Sequence, residues 1–168
     1  MLRVLNRIIE TGTVTETLPR DPALETLGYQ VQRQIERRFA GSLAIRQVDA
    51  GSCNGCELEI HALNNPYYDI ERFGIHFVAS PRHADALLVT GPVSRHMEHA
   101  LRTTWMATPS PKFVIASGDC AACTGGEFAT SYASCGGVES VIPVDVKISG
   151  CPPSPNDLLA GILAALEN

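Results

Sequence analysis

The sequence is poor in the features that mark membrane-spanning and nucleic-acid-binding chains. Among its 168 residues, no apolar run approaches the roughly 18 residues that are needed to span a bilayer. Aromatic residues make up only 6% of the chain, and its 13 Lys and Arg form no basic stripe. The opening stretch, MLRVLNRIIETGTVTE, has neither a continuous signal core nor a cleavage site. We therefore expect no transmembrane segment, no secretion signal and no nucleic-acid partner.

The chain does contain an ordinary share of apolar residues, and it contains six cysteines. Hydrophobic residues make up 45% of it and charged residues 18%, with a formal net charge of −5, which is typical of a globular protein. A chain of this length forms one domain with a substantial core. In a chain that stays in the cytoplasm, cysteines in this number indicate metal binding or redox chemistry before disulfides.

The spacing of apolar residues divides the chain into two parts. Residues 1–22 form an arm whose apolar side has no evident partner within the chain, and residues 23–39 show the spacing of an amphipathic helix. We predict that the segment 1–40 faces a partner. Over residues 41–168, short apolar strands alternate with helical segments, which predicts an α/β domain with a parallel sheet and flanking helices.

Sequence patterns assign the elements of this second part. The strand-type segments are SLAIRQV, GIHFVA, ADALLVTG, KFVIASG and VIPVDVKISG. The helical segments are ELEIHALNN, HMEHALRTTWMA and SPNDLLAGILAALEN, and the last of these begins with a Ser154 cap and with Pro155 in its first turn. In parallel sheets of this kind, binding sites lie at the carboxyl ends of the strands.

Four of the cysteines follow strand-type segments that end in a glycine-containing turn. Cys53 and Cys56 follow LAIRQVDAGS, Cys120 follows KFVIASGD, and Cys151 follows VDVKISG. Because the carboxyl ends of parallel strands meet at one edge of the sheet, we expect the four thiols to converge. The flanking glycines allow the backbone to approach a bulky inorganic group closely. A Cys followed by Pro, as in GCPPSP, also ends the cysteine run of bacterial ferredoxins.

Three other interpretations of these cysteines stay open. A buried free cysteine is most often a small hydrophobic residue. A zinc site could use Cys53, Cys56, Cys120 and Cys123 as two Cys-x-x-Cys pairs, although 63 residues separate the pairs here, whereas zinc ribbons separate them by about 15–20. A thioredoxin-like redox pair at Cys53 and Cys56 leaves the GDC and GCPP turns unexplained. An iron–sulfur cluster accounts for the most features.

Several stretches together resemble the small subunit of energy-converting nickel–iron hydrogenases, a family that includes the 20 kDa or B subunit of respiratory complex I. They are DAGSCNGCELEI, ERFGIHFVASPRHADALLVTGPVSR, GGVESVIPVDVKISGCPPSP and the arm RIIETGTVTE, and the likeness covers nearly the whole chain. The resemblance implies a flavodoxin-like α/β domain that carries one 4Fe–4S cluster at the carboxyl ends of its strands. It also implies that Cys53, Cys56, Cys120 and Cys151 are the cluster ligands.

The spacing of the first two implied ligands distinguishes members of this family. Complex I subunits place two cysteines side by side, whereas hydrogenase small subunits use the Cys-x-x-Cys form that is found at Cys53 and Cys56. The stretch GDCAACTGG has one residue more than the family pattern, and it contains Cys123, which is an alternative to Cys120 as the third ligand. Cys135, in ASCGGV, is expected to be a buried structural thiol.

The resemblance implies an electron-transfer subunit that is not catalytic alone. It would lie beside the catalytic large subunit of a membrane-bound, energy-converting nickel–iron hydrogenase complex, with a ferredoxin-like multi-cluster subunit and membrane subunits as further partners. The expected location is the cytoplasmic side of the cell membrane, peripheral within the complex, because the twin-arginine signal and second cluster domain of periplasmic relatives are missing. The alternative is a complex I-like quinone oxidoreductase or a nickel-free hydrogenase-related complex. A structural zinc module is a more remote alternative.

Two acidic residues follow the Cys-x-x-Cys motif at the start of a predicted helix. The family places a glutamate in this region at the subunit interface, close to the proton route, and Glu59 matches that position better than Glu57. The alternative is that both are ordinary acidic residues of a first helical turn, where the helix dipole favours a carboxylate.

Overall fold

The computed structural model describes residues 2–14, 19, 21–123 and 129–167. A five-stranded parallel sheet lies at its centre. The strands are β1 (Leu43–Asp49), β2 (Ile75–Phe77), β3 (Ala86–Thr90), β4 (Phe113–Ser117) and β5 (Val146–Ile148). Their order in the sheet is β2-β1-β3-β4-β5, which is the order of flavodoxin-like doubly wound folds. The predicted α/β fold is therefore confirmed.

Helices connect and flank these strands. In the described part of the chain, the α-helices are α1 (Leu2–Thr11), α2 (Pro22–Arg38), α3 (Gly55–Ala62), α4 (Arg95–Ala107), α5 (Asp119–Ala122) and α6 (Pro155–Glu167). Short 3₁₀ helices lie at Ile70–Phe73, Pro81–His83 and Val138–Ser140. The sequence predicted α2, α4 and α6 to within one residue at each end. It did not predict α5, because four residues are too few to show a helical period.

The sheet buries an apolar cluster on each of its two faces. On one face, Leu88 of β3 and Ile115 of β4 pack with residues of α2, α3 and α6. On the other face, Val89 and Ala116 pack with residues of α4 and α5. Every residue of β3 is buried, because successive side chains point to opposite faces and both faces are covered. The layers are therefore helix, sheet and helix.

Helix α2, the amphipathic helix of the first 40 residues, packs within the chain. Its residues Leu24, Val31 and Ile35 are buried in the cluster that also contains α6. At the end of the helix, the Arg38 guanidinium donates a hydrogen bond to the Leu166 carbonyl of α6. The apolar stripe of α2 is therefore covered by α6.

Helix α1 is different, because all of its residues are exposed. Its apolar side chains include Leu2 and Ile9, which are each 78% exposed. Residues 15–18 and 20 of the arm lie outside the described residues. That the segment 1–40 faces a partner stays a prediction.

Four of the strands end in register at one edge of the sheet. The last residue of β1, Asp49, is paired with the last residue of β3, Thr90. Thr90 is paired with Ser117 at the end of β4, and Ser117 is paired with Ile148 at the end of β5. The loops that follow these strands therefore leave the sheet from a single row.

The segment VIPVDVKISG is extended over a shorter range than its sequence predicts. A 3₁₀ helix at Val138–Ser140 ends just before this segment, and β5 covers only Val146–Ile148 within it. Pro143 has no N–H to donate to a strand ladder. Asp145 sets the start of the strand, because its N–H donates to the Val114 carbonyl at 2.9 Å and its Oδ2 accepts from the Val114 N–H at 2.7 Å.

Candidate functional site

The row of strand ends borders a cavity of about 270 Å³. Four cysteines line it, namely Cys53, Cys56, Cys120 and Cys151. Much of the remaining wall consists of glycine and proline, which present little side-chain volume: Gly51, Gly55, Gly91, Gly150, Pro92 and Pro152. The structure therefore brings together the four thiols that the sequence distributes over three strand ends.

The loop after β1 delivers two of these thiols. Asp49 Oδ1 accepts hydrogen bonds from the N–H groups of Gly51 at 2.8 Å and Ser52 at 2.9 Å, which turns the chain sharply at the strand end. Cys53 precedes α3, and Cys56 lies in the first turn of that helix. The start of the helix therefore sets the spacing between the two thiols.

The loops after β4 and β5 are bound to each other. The Gly118 N–H donates to the carbonyl of the last β5 residue at 2.8 Å, and the Asp119 N–H donates to the Gly150 carbonyl at 2.9 Å. The Gly150 N–H donates in turn to Asp119 Oδ1 at 2.8 Å. These bonds continue the pairing beyond the strands and fix the loop of Cys120 relative to the loop of Cys151.

Gly118 allows the backbone to approach a thiol closely. Its φ is +90°, and a Cβ at this position would lie 2.6 Å from Cys56 Sγ. Any side chain here would displace the Cys56 thiol and would also strain the backbone. The position of the Cys56 thiol therefore requires a glycine at position 118, two residues before Cys120.

The four thiols differ in exposure, and burial raises the pKa of two of them. Cys53 and Cys151 are exposed at the mouth of the cavity, while Cys56 and Cys120 are half-buried. Burial, together with the Glu57 carboxyl and the other three cavity thiols, raises the pKa of Cys56 to about 11. Burial, the thiols of Cys151 and Cys53, and the Asp119 carboxyl also raise the pKa of Cys120. Because thiolates at these positions repel one another, a positively charged metal group between them would be stabilised.

Glu57, beside Cys56 on α3, is a buried carboxylate. The residue is only 5% exposed. Ser52 Oγ donates a hydrogen bond to Glu57 Oε2 at 2.6 Å, and Thr90 Oγ1 donates one to Glu57 Oε1. A buried charge needs such partners, so the two hydroxyls connect α3 to the end of β3. Sequence reasoning missed both hydroxyls. The available signal was an acidic residue in a first helical turn.

The other residues that the sequence singled out lie outside the cavity lining. Cys123 is exposed and ends α5 with a φ of 60°, and Glu59 is half-buried on α3. Cys135 is buried, as expected for a structural thiol, and its Sγ donates to Glu98 Oε2 at 3.4 Å. The last part of the stretch GDCAACTGG, residues 124–126, lies outside the described residues.

The donor set fits an iron–sulfur group, because clusters of this kind are held by Cys thiolates. Four thiols around a cavity of about 270 Å³ leave room for a polynuclear inorganic core.

Comparison with protein families gives a match over most of the chain. The model of a family described as "NADH ubiquinone oxidoreductase, 20 Kd subunit" matches residues 53–165, from the first cavity cysteine into the last helix. The chain belongs to this family. The resemblance drawn from the cysteine motifs and the glycine-rich stretches is therefore confirmed.

Two curated relatives of this 20 kDa-subunit family member are named as hydrogenase components. The "formate hydrogenlyase subunit 7" of Escherichia coli (strain K12) is 43% identical over 146 residues, which cover 87% of this chain and 55% of that one. The chain thus spans about half the length of that relative. The "probable membrane-bound hydrogenase subunit mbhJ" of Pyrococcus furiosus is 50% identical over 144 residues, which cover 81% of this chain and 85% of that one.

A solved structure is also similar. A chain of the membrane-bound sulfane sulfur reductase, described as an archaeal respiratory membrane complex, matches with a TM-score of 0.66 and 35% identity, covering 82% of this chain and 74% of that one. Relatives of this family member are therefore subunits of oxidoreductase complexes, some of them membrane-bound. Across the parts of the chain that the structure describes, no helix combines the length and the apolar character that crossing a membrane requires.

Proposed function

We propose that this chain carries one 4Fe–4S cluster and serves as the electron-transfer subunit of a membrane-bound, energy-converting nickel–iron hydrogenase complex. The ligands would be Cys53, Cys56, Cys120 and Cys151. The observation that carries the proposal is the convergence of these four thiols, from three strand ends, on one cavity. Membership of the 20 kDa subunit family and 50% identity to a probable membrane-bound hydrogenase subunit support it.

In the proposed function, the residues of this chain would bind the 4Fe–4S cluster, orient it and shield it from solvent. When bound, a cluster of this kind supplies one-electron transfer at a potential set by charge, hydrogen bonds to sulfur and solvent exposure. The close approach at Gly118 and the paired loops after β4 and β5 hold Cys56, Cys120 and Cys151 at the cavity wall. Cys56 and Cys120 are half-buried, so the part of the cluster that they hold would be less exposed to water than the part near Cys53 and Cys151. The chain would not be catalytic alone.

We propose that the large subunit covers the mouth of the cavity, where Cys53 and Cys151 are exposed. Glu59, half-buried on the same helix as Cys56, would lie near that interface and the proton route. The exposed apolar side of α1 supports a partner-facing role for the segment 1–40. A ferredoxin-like multi-cluster subunit and membrane subunits would complete the complex, which would hold the chain at the cytoplasmic side of the membrane.

The cavity lining supports Cys120 over Cys123 as the third ligand. Cys120 lines the cavity, whereas Cys123 lies at the exposed end of α5 with its backbone in the left-handed region. The Gly150 N–H, next to Cys151, also donates a hydrogen bond to Asp119, next to Cys120. Cys123 would then be a spare thiol near the site.

A nickel-free, hydrogenase-related complex is the second candidate. The observation that favours it is the structural match to a chain of the sulfane sulfur reductase, with a TM-score of 0.66 and 35% identity. A complex I-like quinone oxidoreductase has weaker support, because Cys53 and Cys56 have the Cys-x-x-Cys spacing of hydrogenase small subunits. The nickel–iron hydrogenase and the nickel-free complex would share the cluster of this chain and would differ in the metal content of the large subunit.

The decisive experiment is a metal analysis under anaerobic conditions. The full chain is analysed for iron, acid-labile sulfide and zinc, its EPR spectrum is recorded after dithionite reduction, and the complex purified with it is analysed for nickel. We expect about four iron and four sulfide per chain, a reduced-cluster signal, and nickel in the complex. One zinc without sulfide would refute the electron-transfer role. Iron and sulfide without nickel would retain the cluster and favour the nickel-free or the complex I-like alternative.

A further inference from the structure

Asp119 joins the two loops that deliver Cys120 and Cys151. Its N–H donates to the Gly150 carbonyl at 2.9 Å, and its Oδ1 accepts from the Gly150 N–H at 2.8 Å. Both polar groups of the Gly150 backbone are therefore bound to one residue. Asp119 directly precedes Cys120, Gly150 directly precedes Cys151, and Asp119 also lines the cavity.

The same two-bond arrangement occurs at the opposite edge of the sheet, away from the cavity. Asp85 donates its N–H to the Ala44 carbonyl at 2.8 Å and accepts from the Ala44 N–H at 2.9 Å. Asp145 does the same with Val114, at 2.9 Å and 2.7 Å. At those positions an aspartate fixes the start of a strand. At Asp119 the same arrangement fixes one cysteine loop against another.

Gly150 has a conformation that makes this anchoring important. Its φ is +135°, and a Cβ at this position would lie 2.5 Å from Pro153 Cα, so the position requires glycine. Glycine has the greatest backbone freedom of any residue when it is not held. The two bonds from Asp119 remove much of that freedom directly before Cys151.

The Asp119 carboxylate also brings charge to the cavity wall. Asp119 lines the cavity directly before Cys120, and its Oδ1 is bonded to the loop of Cys151. A carboxylate at this position disfavours additional negative charge in the cavity. Because reduction adds a negative charge to any group bound there, the carboxylate would favour the oxidised form.

We propose that Asp119 is a positioning residue for the candidate cluster: it holds the Cys151 loop against the Cys120 loop, and its charge lowers the potential of the group bound between them. The inference rests on the proposed function, because it takes Cys120 and Cys151 as ligands. It assigns a role to a residue that is not itself a ligand.

The first part of the test uses the metal-free full chain with reduced thiols. Asp119→Asn keeps an oxygen acceptor for the Gly150 N–H but removes the charge, whereas Asp119→Ala removes both. Hydrogen exchange at the Gly150 amide, measured by NMR, should become about tenfold faster or more in Asp119→Ala, because a hydrogen bond to a charged acceptor is lost. It should stay close to the wild-type rate in Asp119→Asn. Asp85→Ala is the matched control, since Asp85 directly precedes β3, whose own loop carries no cysteine. This variant removes the equivalent bond at Ala44 and should leave Gly150 unchanged.

The second part uses the full chain after anaerobic reconstitution with iron and sulfide. Asp119→Ala should retain less than about half of the wild-type iron and sulfide at limiting iron, in line with the ~10–100-fold loss of metal affinity that changes outside the ligand set produce. Asp119→Asn should load normally. In an EPR-monitored redox titration, however, Asp119→Asn should have a higher potential than the wild type, because a negative charge has been removed. Asp85→Ala should match the wild type in both measurements.

The outcomes separate this inference from the proposed function. Unchanged Gly150 exchange in Asp119→Ala would overturn the positioning role, and an unchanged potential in Asp119→Asn would overturn the charge effect, while a wild-type chain that holds iron and sulfide keeps the proposed function. A wild-type chain that binds neither would overturn the proposed function and the effect on the potential together. Gly150 exchange would then still decide whether Asp119 holds the two loops. If Asp119→Ala does not fold, the potential of Asp119→Asn still decides the charge effect, and Asp119→Ser, whose shorter side chain lacks the carboxylate acceptor, replaces Asp119→Ala in the Gly150 exchange measurement.

Discussion

The buried Glu57 carboxylate on α3 accepts a hydrogen bond from Thr90 Oγ1 at the last residue of β3. Ser52 Oγ donates to the other carboxylate oxygen at 2.6 Å. These three residues connect the loop that carries Cys53, the helix that carries Cys56 and a strand whose own loop carries no cysteine. Strand β3 therefore helps to position α3, and with it Cys56, through the Thr90 hydroxyl.

We expect Thr90→Val to destabilise the metal-free protein by about 1.5–3 kcal/mol, because it removes a hydrogen bond to a buried charged group without changing the side-chain volume much. Urea denaturation under reducing, anaerobic conditions measures the free energy of unfolding. Thr108→Val is the matched control. That buried threonine donates to the neutral Thr104 carbonyl at 2.9 Å, so its loss should cost only about 0.5–1.5 kcal/mol. Equal costs at the two positions would show that the Glu57 carboxylate does not depend on Thr90.

Gly118→Ala should abolish cluster loading, because the new Cβ would lie 2.6 Å from Cys56 Sγ. The substitution also strains a backbone with a positive φ, and Gly41→Ala controls for that strain. Gly41 has a φ of +97° and no atom within 4 Å of an added Cβ. Iron and sulfide content after anaerobic reconstitution is the measurement. Loss of loading in both variants would trace the effect to backbone strain instead of the displaced thiol.

Cys120→Ser should lose the cluster, whereas Cys123→Ser should retain it with an unchanged EPR spectrum. The physical reason is position, since Cys120 lines the cavity and Cys123 lies outside the lining at an exposed helix end. Iron content, sulfide content and the reduced EPR signal of each variant are compared with those of the wild type. The reverse pattern would make Cys123 the third ligand.

Much of the fold could be predicted because its elements have strong periodic signals. The buried strand β3 reads as a continuous apolar run, and α2 and α6 show apolar residues every three or four positions. The weak points were short elements. Helix α5 has only four residues, and the start of β5 is set by Asp145 pairing with Val114, a contact between residues that are distant in sequence.

The thiols of the candidate site could be predicted in the same way, but the hydrogen bonds that hold α3 in place could not. Cys53, Cys120 and Cys151 each follow a recognisable strand end, and parallel strands bring such ends together. Thr90 instead looks like an ordinary strand residue, and its bond to Glu57 depends on how α3 packs over β3. Local sequence does not encode a contact of that kind.

The start of α6 should show a pH dependence that comes from its cap. Ser154 N and Oγ donate to Asp157 Oδ2 at 3.0 Å and 2.6 Å, and these bonds lower the pKa of Asp157 below its ordinary value of 3.8. The resulting stabilisation is present above the ordinary pKa and is lost as the pH falls through the lower, folded pKa. Ser154→Ala should therefore cost about 0.5–2 kcal/mol at neutral pH, and less as the Asp157 carboxyl is protonated.

Urea denaturation of the wild type and Ser154→Ala between about pH 7 and pH 2.5 measures this difference, and NMR titration follows the Asp157 carboxyl directly. In Ser154→Ala its pKa should rise towards the ordinary value. Asp157→Asn is the control, since an amide cannot titrate and should remove the pH dependence of the cap. A constant difference across the whole range would contradict a charged cap.

Removal of residues 1–14 should leave the stability of the domain nearly unchanged, within about 0.5 kcal/mol, because no side chain of α1 is buried. Ile35→Ala in the buried face of α2 is the contrasting variant and should cost about 2–5 kcal/mol. Thermal unfolding of the metal-free chains compares them. If the arm faces a partner, its removal should weaken co-purification with the rest of the complex. A large loss of stability would instead show that α1 packs on its own domain.

The position of β5 in the sheet has a consequence for biosynthesis. The thiols of Cys53 and Cys56 leave the ribosome long before Cys151, and Asp119 has no Gly150 to bind until β5 has paired with β4. Contacts between such distant segments form late in folding. A nascent chain without β5 offers three of the four cavity thiols, so the cavity is complete only after the last strand has docked. Under the proposed function, full cluster loading would therefore require chains in which the sheet is complete.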